Sequence, residues 1–543
     1  MAQMLQDDAH HHGVHELLRE SPPPRAALIY YSLLLACPVI LLLLLRRRRL
    51  TASSAAARDR EQLLGRLPSP PRRLPVIGHL HLVGRLPHIS LRDLAAKHSR
   101  DGLMLLRLGA VPTLVISSPR AAQAVLRTHD QVFASRAYSP VADILFYGSS
   151  DVAFAPYGEH WRQVKKIATT HLLTNKKVWA YRHAREQEVR LVMAKIRKAA
   201  AAAPGMAIDL SGLLNSFAND IVCHAVSGKF FREEGRNELF RELIEANSAL
   251  MGGFNIEDYF PGLVKVGMIK RMVCAKAQKV NEGWNELLDK LIDDHERRWE
   301  SQLGDEESDF IDVLLSVQKE YNLTRDHVKA QLAIMFEAGT DTSFIVLEYA
   351  MIKLMQNPHL MTKLQTKVRM AIPKGKDMIT EDDLNANDIA FLKAVIKETL
   401  RLHAPAPLLA PHLSMADCDI EGYTIPSGTR VIVNAWALAR DPNYWESAEE
   451  FMPERFMEGG SAFAMEYRGN DFIYLPFGTG RRICPGISFA ISVVEIMLAN
   501  LVYHFNWELP PESKDRGIDM SESFGLTVHR TEKLLLVPVL PQE

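Results

Sequence analysis

Cysteine is scarce. The 543-residue chain holds five, and no two form a Cys-x-x-Cys pair. That excludes a disulfide framework and gives no sign of a structural zinc site. Charge of one sign is lacking too: 64 Lys plus Arg stand against 65 Asp plus Glu, a formal net charge of −1. General nucleic-acid binders carry a strongly basic domain, so no nucleic-acid partner is expected. Glycine (30) and proline (29) are too few for a fibrous chain, and 47% hydrophobic residues is too apolar for a disordered one. No internal repeat runs through 79–543, and no Gly-x-Gly-x-x-Gly unit sits on a strand–helix turn. A built-in dinucleotide or flavin domain is therefore not expected.

What is present is unevenly spread. Residues 26–45 are 20 consecutive residues without a formal charge, ending in five leucines. At about 1.5 Å per residue such a helix spans roughly 30 Å, the thickness of a bilayer's hydrocarbon core. Pro38 lies inside it, which lipid-embedded helices tolerate. Four arginines, Arg46 to Arg49, follow at once, and the positive-inside rule places that side in the cytoplasm. A cleaved signal peptide is the rival reading, since 52–57 is rich in small residues. Its cations, however, would precede the apolar run rather than follow it. The expected organisation is a tail at 1–25, a transmembrane anchor at 26–45, a basic and proline-rich linker and hinge at 46–78, and one large body at 79–543.

Length alone suggests three or four domains at about 150 residues each, but no convincing linker follows residue 80. Helical periodicity covers 184–203, 239–250, 273–300 and 324–356; strand-like runs lie at 103–108, 113–116, 430–433 and 534–537. The expected class is mainly α with small β-sheets. The longest helix should start at the N-cap Thr324 and stop at Asn357-Pro358. In its apolar middle sits Ala338-Gly-Thr-Asp-Thr-Ser343. Glycine in a helix interior costs about 1 kcal/mol, and polar side chains there compete for backbone bonds. Two readings remain at this point: a kinked structural helix, or a local opening that admits water or a ligand.

Three more clusters stand out. Glu398 and Arg401 share a helical face, which alone reads as a surface ion pair. Pro453-Glu-Arg455-Phe is weak alone. Phe477-Gly-Thr-Gly480-Arg-Arg482-Ile-Cys484-Pro-Gly486 surrounds a lone cysteine with glycine and arginine. Glycine lets backbone approach a bulky object, and arginine favours a thiolate. The cysteine is a candidate nucleophile or a single-thiolate metal ligand.

In this order and spacing the four clusters resemble cytochrome P-450, from the proline-rich hinge to the end of the chain. The Cys loop matches that family's pattern at Phe477, Gly480, Arg482, Cys484 and Gly486. The resemblance implies the cytochrome P-450 fold and a b-type haem (heme b) with Cys484 as the thiolate ligand to iron. It implies Thr342 and Asp341 on the dioxygen side, handing on protons, with Gly339 leaving room for dioxygen. It makes Glu398, Arg401 and Arg455 a buried structural triad, costly to break at one member. It assigns the haem carboxylates to Arg482, Trp161 and Lys165, with His412 where many relatives have arginine. Lys165 also replaces an arginine, keeping charge but losing the bidentate fork. Substrate contacts would fall at Met335, Ala338, Leu408, Leu409 and Phe524. Electrons would come from NADPH through an external NADPH-cytochrome reductase at the endoplasmic reticulum membrane, the body facing the cytoplasm.

Several stretches, among them 103–111 (LMLLRLGAV), 336–343 (FEAGTDTS) and 395–403 (VIKETLRLH), further resemble grass monooxygenases of benzoxazinone biosynthesis. That group oxidises indole and then its indolin-2-one products. The expected reaction is insertion of one oxygen atom from O2 into indole or an indolin-2-one. The alternatives are another specialised metabolite such as a terpenoid or phenylpropanoid, a reductase-independent thiolate-haem isomerase or dehydratase, and a non-catalytic haem binder.

Overall fold

The computed structural model describes residues 55–228, 236–252, 255–265, 267–300 and 308–541. The expected tail, the anchor at 26–45 and the arginine block fall outside the described residues. The chain divides into two units, Met1–Gly65 and Arg66–Glu543. The described part of the first belongs to one helix, Ala55–Arg66.

In the second unit, eight helices frame the site: α1 Glu159–Ile167, α2 Arg182–Ala202, α3 Leu210–Ser227, α4 Arg236–Gly252, α5 Ala275–Glu300, α6 Arg325–Gln356, α7 Ala390–Leu402 and α8 Ile487–His504. α6 is the axis. Its N-cap is a reciprocal box: Thr324 Oγ1 accepts from the His327 N–H at 3.2 Å, and His327 Nδ1 accepts from the Thr324 N–H at 3.3 Å. Pro358 after its C-cap prevents continuation. The helix runs 32 residues, about 48 Å at helical rise. Buried residues occur all round it, among them Leu332, Phe336, Ile345 and Ala350, so it runs through the core rather than over it. α3 crosses α6 closely at Gly339, where a β-carbon would sit 2.8 Å from Val222 Cγ2. The glycine that reads as an opening also lets two helices touch.

α8 is apolar and long enough to cross a membrane by length and composition, and more than half of it is buried. It packs on α6, α7 and α2 as a core helix. It is not the anchor expected at 26–45.

The strands form small sheets, as expected. β1 (Leu103–Leu108) and β2 (Val111–Ile116) make a hairpin with Leu103 opposite Ile116. β3 (Ile208–Asp209) pairs with a late strand. β4 (His412–Leu413) is an edge strand, and β5 (Cys418–Ile420) and β6 (Tyr423–Ile425) form a separate hairpin. β7 (Arg430–Val433) lies parallel to β2, with Thr113 opposite Arg430, and carries β4 on its other side. The sheet order is β1-β2-β7-β4. β8 (Asn506–Glu508) and β3 flank β11 (Leu535–Val539), while β9 (Glu522–Phe524) and β10 (Val528–Arg530) form a last hairpin. That hairpin brings Thr527 and His529 against α6.

Candidate active site

The cysteine loop enters α8 directly. Gly478 and Gly480 adopt φ of 65° and 70°, the left-handed region glycine favours. At Gly480 a β-carbon would fall 2.0 Å from the Leu126 carbonyl oxygen, so close backbone contact also demands glycine there. The Cys484 N–H donates to the Phe477 carbonyl at 3.0 Å, and Sγ accepts from the Gly486 N–H at 3.3 Å. Burial pushes the Cys484 thiol pKa up, while the Gly486 N–H and Lys165 pull it back.

Sγ borders a cavity of about 310 Å³, within the range of small-molecule sites. Its lining is mostly apolar. Met335, Ala338, Gly339, Asp341 and Thr342 border it from α6, and Leu409, Phe477 and Gly486 from the loops. α6 stays α-helical throughout. No break opens in it: Thr342 Oγ1 donates to the Ala338 carbonyl at 2.7 Å, and the small side chains make the space.

Three cations converge on this cavity. Lys165 Nζ donates to the Ile483 carbonyl at 2.7 Å. Arg482 donates to the Ala134 and Ala155 carbonyls at 2.6 Å, its guanidinium 4.2 Å from the Trp161 ring centre. Trp161 is itself held by its Nε1–H on the Val152 carbonyl at 3.0 Å. Arg136 donates to the Ala410, Pro411 and Ala153 carbonyls at 2.5, 3.0 and 2.9 Å. These partners are neutral carbonyls. Burial pulls all three pKa values down, Lys165 to about 8. The carboxyl nearby is Asp151, which burial pushes up to about 6 against two backbone N–H bonds. Buried positive charge with so little compensation fits a ligand bearing carboxylates.

His412, which stands where many relatives have arginine, borders the cavity as a neutral group. Its Nδ1 bonds the Phe133 carbonyl at 2.7 Å, and burial, with Arg136 next, drives its pKa to about 3. The imidazole is neutral, and the charge at this corner comes from Arg136, which the sequence reading missed. Two further corrections concern substrate contacts. Leu408 packs against the cluster of Leu91, Met104 and Leu106, and Phe524 stacks on His88 with ring centres 6.0 Å apart. Neither borders the cavity; Leu526 and Thr527, just past Phe524 in the hairpin turn, do. Gly480 is likewise behind the cavity, shaping the loop.

Asp341 is held from the hairpin. Thr527 Oγ1 donates to Asp341 Oδ2, His529 Nε2 lies 3.1 Å from the same oxygen, and Ser248 Oγ is 3.0 Å from Thr527 Oγ1. Burial pulls the His529 pKa down, but Asp341, Glu348 and Glu245 more than offset it, leaving it raised. Asp341 thus lies between the cavity and a partly exposed imidazole.

The triad is buried, unlike the surface pair the spacing alone suggests. Glu398 binds Arg401 Nε and Nη2 at 2.7 and 2.8 Å and Arg455 Nε at 3.1 Å. Arg401 also donates to the Ala439, Ala448 and Glu450 carbonyls. The segment carrying Arg455 packs Phe456 against Tyr474, ring centres 5.3 Å apart, and Tyr474 lies three residues before Phe477. That is a physical route from the triad to the cysteine loop.

A thiol bordering an apolar cavity shared with Asp341 and Thr342, with buried cations beside it, fits an enzyme that binds a carboxylate-bearing cofactor through sulfur. Residues 68–537 match the family model Cytochrome P450, and the chain belongs to that family: it is a haem enzyme, a monooxygenase that uses dioxygen and electrons from a redox partner. Similar chains from Zea mays include indole-2-monooxygenase, 56% identical over 483 residues (89% of each chain). 3-Hydroxyindolin-2-one monooxygenase is 55% identical over 477 residues, 88% of this chain and 89% of that one. Indolin-2-one monooxygenase is 55% identical over 487 residues, 89% and 90%. Among solved structures, a zebra fish cytochrome P450 with abiraterone shares the fold at a TM-score of 0.68 and 24% identity, covering 85% of this chain and 100% of that one.

Proposed function

We propose that the chain inserts one oxygen atom of O2 into indole or an indolin-2-one in the formation of benzoxazinone defence metabolites. The second oxygen leaves as water, with two protons and two electrons consumed. The observation that carries this reading is the 55–56% identity, over nearly nine tenths of each chain, to three relatives named for this substrate series. The apolar α6 face of the cavity, Met335 and Ala338, supports it, since it suits an apolar aromatic ring.

In this reading Cys484 is the iron ligand and the bound haem supplies the activation of dioxygen. Arg482, Lys165 and Arg136, with Trp161 buttressing Arg482, take the haem carboxylates. Gly486 N–H steadies the sulfur. Thr342 and Asp341 would pass protons on at the far side of the cavity, Asp341 Oδ2 oriented by Thr527 and His529. The apolar walls exclude bulk water. NADPH-cytochrome reductase is the electron donor, and 26–45 anchors the chain in the endoplasmic reticulum membrane with the haem domain cytoplasmic. The test is incubation of microsomes containing the chain and reductase with NADPH and indole, indolin-2-one or 3-hydroxyindolin-2-one. A hydroxylated product carrying one atom from labelled O2 is expected; no product from any of the three refutes the substrate assignment.

A further inference from the structure

Glu337 lies on α6 one turn before Asp341 and borders the same cavity. It is 3% exposed. Its Oε2 accepts from Asn247 Nδ2 at 3.1 Å, and Asn247, on α4, is fully buried. Its other oxygen, Oε1, is buried with no hydrogen-bond partner among the described residues. Burial, opposed by Asn247 and reinforced by Asp341 and Asp151, raises the carboxyl pKa to about 8. The group is therefore a neutral acid near pH 7. In this amide orientation Asn247 Nδ2 faces Oε2 and Asn247 Oδ1 is itself without a partner among the described residues, so a proton on the carboxyl would sit on Oε1 and make it a donor in mostly apolar surroundings. A buried donor without an acceptor is costly, and one built to meet an acceptor discriminates against ligands that lack it.

We infer that Glu337 is a specificity-determining residue: its Oε1–H donates to a ring carbonyl oxygen of the substrate, selecting a lactam of the indolin-2-one type over indole. This rests on the substrate series proposed above and deepens it. Indole offers an N–H and a π face but no carbonyl. A lactam presents the acceptor that Oε1 needs. The chain would then consume the product of an earlier ring oxidation rather than start the series.

The experiment is equilibrium binding of indolin-2-one and of indole to the haem-loaded protein, read by calorimetry and by the haem absorption change. The wild type should bind indolin-2-one about tenfold more tightly than indole, the worth of about one hydrogen bond. Glu337→Gln, which still presents an N–H donor, should keep most of that preference. Glu337→Leu should bring the two ligands to within about twofold while indole binding holds; Glu337→Met serves the same comparison should the Leu variant fail to fold. A Leu or Met variant that keeps the wild-type preference overturns the role of Glu337, as does a wild type with no preference. Binding of neither compound by the wild type overturns the substrate assignment itself and the inference with it.

Discussion

Glu398 gives the sharpest stability prediction, because one carboxylate serves two buried guanidinium groups. It accepts four bonds: two from Arg401, one from Arg455, and one from the Met452 N–H at 2.8 Å. Glu398 and Arg401 are 0% exposed, and Arg455 is 4% exposed. Replacing Glu398 with Gln keeps the shape and removes the charge. Breaking one member of a buried pair costs about 3–5 kcal/mol, because it strands the partner charge. Here two partners are stranded. Their carbonyl acceptors, three on Arg401 and two on Arg455, soften the loss without cancelling charge. We expect a loss of about 3–5 kcal/mol by urea unfolding. The control is Glu454→Gln, which breaks the half-exposed Lys363–Glu454 pair and should cost under about 1 kcal/mol. Because Phe456 and Tyr474 connect the triad to the cysteine loop, haem occupancy of Glu398→Gln should fall as well. A Glu398→Gln protein as stable as the Glu454→Gln control, with full haem, would refute the claim that this buried network supports the site.

Other outcomes follow from the same geometry. A carboxyl whose folded pKa is raised loses stability as pH climbs from its unfolded value toward its folded one. Glu337→Gln should therefore match the wild type near pH 4 and gain on it up to pH 8, by at most about 4 kcal/mol. Equal pH dependence of unfolding in both proteins would refute the neutral buried acid. Gly480→Ala forces a β-carbon into the Leu126 carbonyl at positive φ, so the purified protein should retain little haem; normal haem content would contradict the demand for glycine there. Thr342→Ala removes the hydroxyl beside Asp341 and should raise NADPH consumed per product several-fold, read as peroxide released; unchanged coupling would remove Thr342 from proton handling.

The sequence was informative where chemistry is local. The periodic runs at 184–203, 273–300 and 324–356 coincide with α2, α5 and α6 to within about two residues, since caps and prolines act on their immediate neighbours. The cysteine loop, the α6 cluster and the Glu398–Arg401 spacing were likewise legible. Contacts made across the chain were not. Arg136 is fixed at the site in part by bonding to carbonyls some 274 residues away. Thr527 and His529 meet Asp341 through a hairpin whose register decides which side chain faces inward; assigning the contact to Phe524 missed that turn. Nothing in the sequence sets Glu337 apart, and only its burial against Asn247 makes it distinctive. The depth of the triad follows from the family resemblance and not from spacing: spacing fixes a face, and packing decides whether solvent reaches it.

The central claim is that Cys484 presents a thiolate to haem iron. It is tested most directly by the absorption of the dithionite-reduced protein under carbon monoxide. The wild type should show the band at the position characteristic of thiolate-ligated haem, and Cys484→Ser should lose it while the chain remains folded by circular dichroism. Persistence of that band in Cys484→Ser would contradict the account.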